Sequence, residues 1–264
     1  MSESIELHWE GEQATVVLNQ PDRANVLDAA AATALARIAR TLDDRAAAGR
    51  LRAVLLHGRG PQFCGGGDIQ EFITAGDQLS ASLDRGIPPL HDAIHALATL
   101  PVPVVSAVNG PLGGGGIGLA LVADIVLASD TAKLRGGYSA IGLSPDVGVS
   151  WALTRLVGPM CAKQILFTNR SFSAQECLAM GLFAEVLPAD ELLPAAKRLA
   201  EQLARGATVS LARIKMLVDG APARSLREQL ALEHQGMVEC GASADAAEGV
   251  RAFVDKRAPC FKGR

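Results

Sequence analysis

Apolar and polar positions follow two rhythms along this chain, and the rhythm changes near residue 190. Residues 5–9 and 14–18 flank Gly11-Glu12 and predict a β-hairpin. The stretch Asn19-Gln20-Pro21-Asp22-Arg23 reads as a turn. Asp28 is placed to cap a helix whose apolar residues Leu35, Ile38, Ala39 and Leu42 recur at helical spacing, with Gly49 as its stop. Short apolar runs at 53–56, 104–108 and 125–128 predict buried strands. Between them, 90–100 and 116–123 predict helices, the first broken by Pro101 and Pro103. Ser173-Ala174-Gln175-Glu176 is a capping box with Gly181 as the stop. Strands alternating with helices predict an α/β fold with buried strands. Beyond residue 189 the strand signal vanishes, and helices are expected at 191–205, 208–218, 226–238 and 244–256. The chain thus divides into a core over 1–190 and an all-helical region over 191–264, expected to be a C-terminal subdomain or an oligomerisation element.

Composition narrows the partners. The chain has 264 residues, 49% of them hydrophobic, enough for a sizeable core. A net charge of −3 without a basic stripe argues against nucleic acid. The five cysteines include no C-x-x-C pair, so neither a disulfide framework nor a structural metal is expected. Met1 to Glu10 carries charges and no apolar core of a signal peptide. No apolar run is long enough to span a bilayer. The expectation is a cytoplasmic protein with no membrane partner.

The candidate chemistry lies in two glycine-rich loops and one carboxylate. The loops are Phe63-Cys64-Gly65-Gly66-Gly67-Asp68 and the run from Asn109 to Gly118; the carboxylate is Asp146, in Ser144-Pro145-Asp146-Val147-Gly148. Each loop leaves a strand and enters a helix, where backbone N–H groups are unpaired. Two of them converging on one oxygen would form an oxyanion hole. A carboxylate beside it could move a proton on an acyl group. Other readings compete. Gly113, Gly115 and Gly118 fit a dinucleotide fingerprint with Asp130 downstream, although the intervening helix is short. His91 and His95, at i and i+4 around Asp92, are zinc-like in spacing but lack a third ligand. Asp146 could simply cap the helix starting near Val149. Tyr138, the only tyrosine, could pack or line a pocket.

These motifs, in this order, resemble the crotonase, or enoyl-CoA hydratase/isomerase, superfamily. The resemblance covers essentially the whole chain, from Asn19–Asn25 through both glycine loops to Glu248-Gly249-Val250-Arg251-Ala252-Phe253 and Lys256-Arg257. It implies a spiral of ββα units, trimers or dimers of trimers, and acyl-coenzyme A substrates with no separate cofactor. It places the thioester oxygen between the N–H groups of Gly67 and Gly115. It places Arg23, Ala24, Gly65, Asp68 and Ile69 against the CoA moiety, with Phe253 and Lys256 on a C-terminal helix that closes over it.

The departures from that family refine the expectation. Hydratases carry one glutamate just after the glycine run and another about twenty residues on; here these positions hold Gly118 and Tyr138. Hydration normally divides its proton transfers between two carboxylates. Acyl-CoA isomerases of the phenylacetate type look similar to this chain: they lack both glutamates and carry Pro-Asp where Asp146 stands. The resemblance therefore implies a double-bond or ring isomerase with Asp146 as general acid/base. The alternatives are an enoyl-CoA hydratase, a hydrolase resembling the 4-chlorobenzoyl-CoA dehalogenases, and a non-catalytic acyl-CoA-binding scaffold. In the dehalogenase reading Asp146 is the nucleophile, His91 activates water and Tyr138 replaces a supporting tryptophan.

Overall fold

The structure is a computed structural model and describes residues 3–264. The expected hairpin forms from β1 (Ile5–Glu10) and β2 (Gln13–Leu18). The expected strands follow as β3 (Ala53–Gly58), β4 (Val104–Val108), then, after the short β5 (Leu112–Gly113), β6 (Ile125–Ser129). β7 (Lys133–Arg135), β8 (Ser171–Ser173) and β9 (Glu185–Leu187) complete the set. One sheet runs β1-β2-β3-β4-β6-β9, antiparallel only in the hairpin; a second runs β5-β7-β8. A bridge from Cys64 to Leu112 extends the small sheet. Each of β3, β4 and β6 therefore hands on to a partner in the small sheet and then to a helix. This is the ββα repeat that the resemblance implies.

The helices of the core follow from local signals. Asp28 accepts the Ala31 N–H and starts α1 (Ala29–Ala47), which buries Leu35, Ile38 and Leu42. A cap of this kind is worth about 1 kcal/mol, and each buried aliphatic side chain about 1.5–3 kcal/mol, so packing dominates. Asp68 caps α2 (Ile69–Ala75). The next helix, α3 (Leu79–Thr99), is two turns and more longer than its apolar periodicity suggests. Pro88 and Pro89 lie inside it on the exposed side, while Leu90, Ala93 and Leu97 anchor its second half. After α4 (Gly115–Leu121) comes α5 (Val149–Thr168), interrupted at Gly158 (φ +74°), and α6 (Ala174–Ala179), whose Ser173–Glu176 capping box is fully formed.

The first helix of the all-helical stretch, α7 (Ala189–Ala204), covers the large sheet. Its Leu192, Ala196 and Ala200 pack on Leu55, Val105, Ala107 and Leu127. The sheet is thus covered on both faces, which is why β3 and β4 read as continuous apolar runs. The remaining helices, α8 (Thr208–Gly220), α9 (Leu226–Gly241) and α10 (Ala244–Val254), pack mainly on one another and leave Leu230, Met237, Val250 and Phe253 exposed. Among the described residues no helix is long and apolar enough to cross a membrane.

Candidate active site

The two glycine loops are laced together by main chain. Gly113 donates its N–H to Cys64 O at 3.0 Å, and Phe63 donates to Pro111 O at 3.1 Å. The approach is so close that a Cβ on Gly66 would lie 2.7 Å from Gly113 O and 3.2 Å from Gly115 N. Gly66 also sits at φ +89°, so glycine is required there twice over. The outer side of the first loop is held by residues 24–27: Gly65 N–H donates to Ala24 O and Leu27 N–H to Gly66 O, both at 2.8 Å. The N–H groups of Gly67 and Gly115 donate to no protein acceptor among the described residues. They remain available to a bound oxygen.

Asparagines that sequence reasoning assigned no role tie the loop bases. Asn109 accepts the Gly58 N–H (3.0 Å) and donates to Gly60 O (2.8 Å). Asn25 donates to Arg59 O and Gln62 O (3.0 and 2.9 Å). Asn25 lies at φ +50°, a conformation asparagine tolerates better than most residues. Both stand inside the quoted motifs, so the signal was a side chain able to replace a backbone partner within a turn.

Asp146 is not a helix cap. The N-cap of α5 is Gly148, without a side-chain bond, and Asp146 contributes only its backbone carbonyl to the Val149 N–H. Its carboxylate instead accepts the Tyr138 hydroxyl at 2.6 Å. Burial first, and then the neighbouring Asp146 charge, pushes the Tyr138 phenol above its ordinary value, so it stays a proton donor. The other carboxylate oxygen of Asp146 has no protein donor among the described residues. Val147 follows at φ +50° and receives His91 from α3: the Val147 N–H donates to His91 Nε2 at 3.1 Å.

Val147 also joins Asp146 to the second glycine loop. Its Cγ2 would be 2.9 Å from a Cβ on Gly115, and its carbonyl oxygen 1.9 Å from a Cβ on Gly118. The loop therefore fills the space where a side chain at position 118 would project. Nearby Cys64 is buried, which pushes its thiol up to about 12; it is no nucleophile at neutral pH. A cleft of about 800 Å³ opens beside this group, lined by His91, Ile94, Gly118, Leu121, Asp146 and Trp151 among others. A second cleft of about 690 Å³, bordered by Arg52, Arg213 and Arg224, contains none of the candidate residues.

The residues expected against CoA divide. Ala24, Gly65, Asp68 and Ile69 gather on the first loop, with Ile69 exposed. Arg23 is there too, but its guanidinium is engaged within the chain: it pairs with Asp28 at 2.8 Å and with Asp68 in a still shorter contact. Phe253 and Lys256 lie on and just after α10, and Phe253 is 86% exposed, so its own chain does not fold it over the loops. The dinucleotide alternative fares poorly in this geometry. The glycine run is packed against the first loop, and a Cβ on Gly116 would lie 2.4 Å from Cys64 O, leaving no room there for a pyrophosphate.

A model of the enoyl-CoA hydratase/isomerase family matches residues 10–264. The chain belongs to this family. Among its relatives, a probable enoyl-CoA hydratase of Rhodobacter capsulatus is 37% identical over 95% of each chain. The 1,2-epoxyphenylacetyl-CoA isomerase of Escherichia coli is 36% identical over the full length of both. A crystal structure of an enoyl-CoA hydratase from Polaromonas sp. JS666 superposes with a TM-score of 0.91 at 32% identity, covering 98% of this chain and 99% of that one. The fold is therefore the crotonase fold. Relatives named as hydratases and as an isomerase stand at similar identity to this chain.

Proposed function

We propose that the chain is an acyl-CoA isomerase in which Asp146 is the only general acid/base. The carrying observation is the state of the three carboxylate positions. Asp146 has one oxygen engaged by Tyr138 and the other free, position 118 is sterically closed, and position 138 holds the phenol that serves Asp146. One carboxylate suffices to take a proton from one carbon of an enolisable thioester and return it to another. The C–H electron pair passes into the thioester carbonyl, and the N–H groups of Gly67 and Gly115 hold the resulting enolate oxygen. Each such donor is worth about 3 kcal/mol in the transition state. The proton then returns from Asp146 to the second carbon, so nothing is consumed.

The dehalogenase alternative is less well supported. A neutral imidazole has one lone-pair nitrogen, and in His91 that nitrogen accepts the Val147 N–H, leaving none to activate water. The exposed apolar residues Met237, Val250 and Phe253 of the last helices fit self-association into the trimer that the resemblance implies. The deciding test is mass spectrometry of 2-enoyl-, 3-enoyl- and 4-chlorobenzoyl-CoA after incubation with the protein. Unchanged mass at a new retention time supports isomerisation. Added water would make the protein a hydratase, and chlorine replaced by hydroxyl a dehalogenase. No change in any thioester would favour a binding scaffold.

A further inference from the structure

His91 lies on the exposed side of α3 and lines the cleft, and among the described residues its one side-chain hydrogen bond is to main chain. Acceptance of the Val147 N–H at Nε2 places the proton of the neutral ring on Nδ1; the tautomer is assigned from this bond. The residue it holds is an unusual one. Val147 is β-branched yet sits at φ +50°, a region such residues rarely adopt, and it is buried. Such a conformation persists only where its surroundings fix it. Three contacts do so: His91 takes the N–H, Gly115 lies under Cγ2, and Gly118 lies under the carbonyl.

The peptide that His91 grips is the one joining Asp146 to Val147, so the ring sets the direction in which the Asp146 side chain leaves the backbone. We propose that His91 is a positioning residue for Asp146. Together with Tyr138 it fixes the carboxylate from both ends: Tyr138 holds one side-chain oxygen, and His91 holds the main chain behind it. The role rests on the isomerase reading and replaces the water-activating role that the dehalogenase resemblance would give this histidine.

The test uses His91→Ala and His91→Gln in the full chain. His91 is exposed on its helix, so neither change opens the core, and circular dichroism confirms folding. The Gln amide oxygen can reach the same N–H, whereas Ala leaves it unbound. His91→Ala is expected to lower kcat for 3-enoyl- to 2-enoyl-CoA conversion by about tenfold or more at unchanged KM, since small misplacements of a catalytic group carry large rate costs. His91→Gln is expected to recover most of that loss. In parallel, the Val147 amide proton resonance is expected to shift upfield and exchange faster in His91→Ala, but not in His91→Gln. Wild-type kcat in His91→Ala, Gln as inactive as Ala, or an unmoved Val147 amide would each overturn the proposal. A wild-type chain silent on every thioester would instead end the isomerase reading, and this role with it.

Discussion

The Tyr138 hydroxyl donates to one oxygen of the Asp146 carboxylate across 2.6 Å, and the two residues reach that contact from opposite ends of a short turn. The turn runs through a single 3-10 segment, Tyr138–Ile141, and a left-handed Gly142 (φ +72°) before Pro145. The pair suits the acid/base role proposed for Asp146: one oxygen is oriented and the other has no protein donor among the described residues.

Asp146→Asn keeps the shape and removes the proton acceptor. Turnover of the acyl-CoA substrate is expected to fall by roughly 10²–10⁴-fold, the usual share of general acid–base catalysis. Calorimetric CoA binding is expected to remain. Retained turnover in this variant would end the proposed mechanism.

Tyr138→Phe removes one hydrogen bond to a charged group, worth about 1.5–3 kcal/mol. A kcat loss on the order of 10–100-fold is expected, smaller than that of Asp146→Asn. The sole tyrosine also permits a direct titration. Burial and the Asp146 charge raise the folded-state phenol above the ordinary 10.0, so the native state holds its proton where the unfolded chain releases it. Stability from this group is complete below pH 10 and is lost as the pH rises beyond it. Ultraviolet phenolate absorbance should appear near pH 10 in denatured chain and only at higher pH in the folded protein.

Gly118→Glu restores a glutamate at the position hydratases use. It is not expected to confer hydration, because the Val147 carbonyl stands 1.9 Å from the new Cβ. The expected result is a lowered Tm together with reduced isomerisation, since the strained Val147 must move. Water addition to 2-enoyl-CoA by a stably folded variant would contradict this.

Arg23→Gln distinguishes two roles for that arginine. Its charge lies between Asp28 and Asp68, the caps of α1 and α2. Loss of the tie is expected to lower Tm and kcat with little change in CoA affinity. A raised KM at unchanged Tm would assign Arg23 to the CoA phosphates instead.

Phe253→Glu addresses self-association. Sedimentation of the wild type is expected to give a trimer or a multiple of it, and the charged variant is expected to shift toward monomer. A wild-type monomer would remove the trimer proposal.

Much of the frame was legible because its signals are local. The hairpin, the Asp28 cap and the Ser173 box each depend on residues within a few positions of one another. The first half of α3 was hidden because its two prolines normally stop a helix, and nothing nearby indicates that its second half is anchored by burial. The strands of the small sheet have only two or three residues, too few to display a period. At the site, Asp146 and the glycine loops stand out in the sequence, but their partners do not. Val147 meets His91 across 56 residues, and no pattern along the chain records that meeting. Position 118 taught the converse: an absent glutamate looked like a loss, while the fold has another segment in its place.

The lacing of the two glycine loops has a consequence for how such a protein can diversify. Both N–H groups proposed to hold the thioester oxygen belong to main chain, and so do the bonds between Gly113 and Cys64 and between Gly65 and Ala24 that set their spacing. Mutation acts on side chains, and here there are almost none to act on. Substitutions of side chains around the two loops can change what surrounds them, while the main-chain seat proposed for the thioester oxygen is passed on unaltered. In the proposed mechanism the electrostatic part of the chemistry is thus inherited as backbone shape, and specificity is free to drift around it.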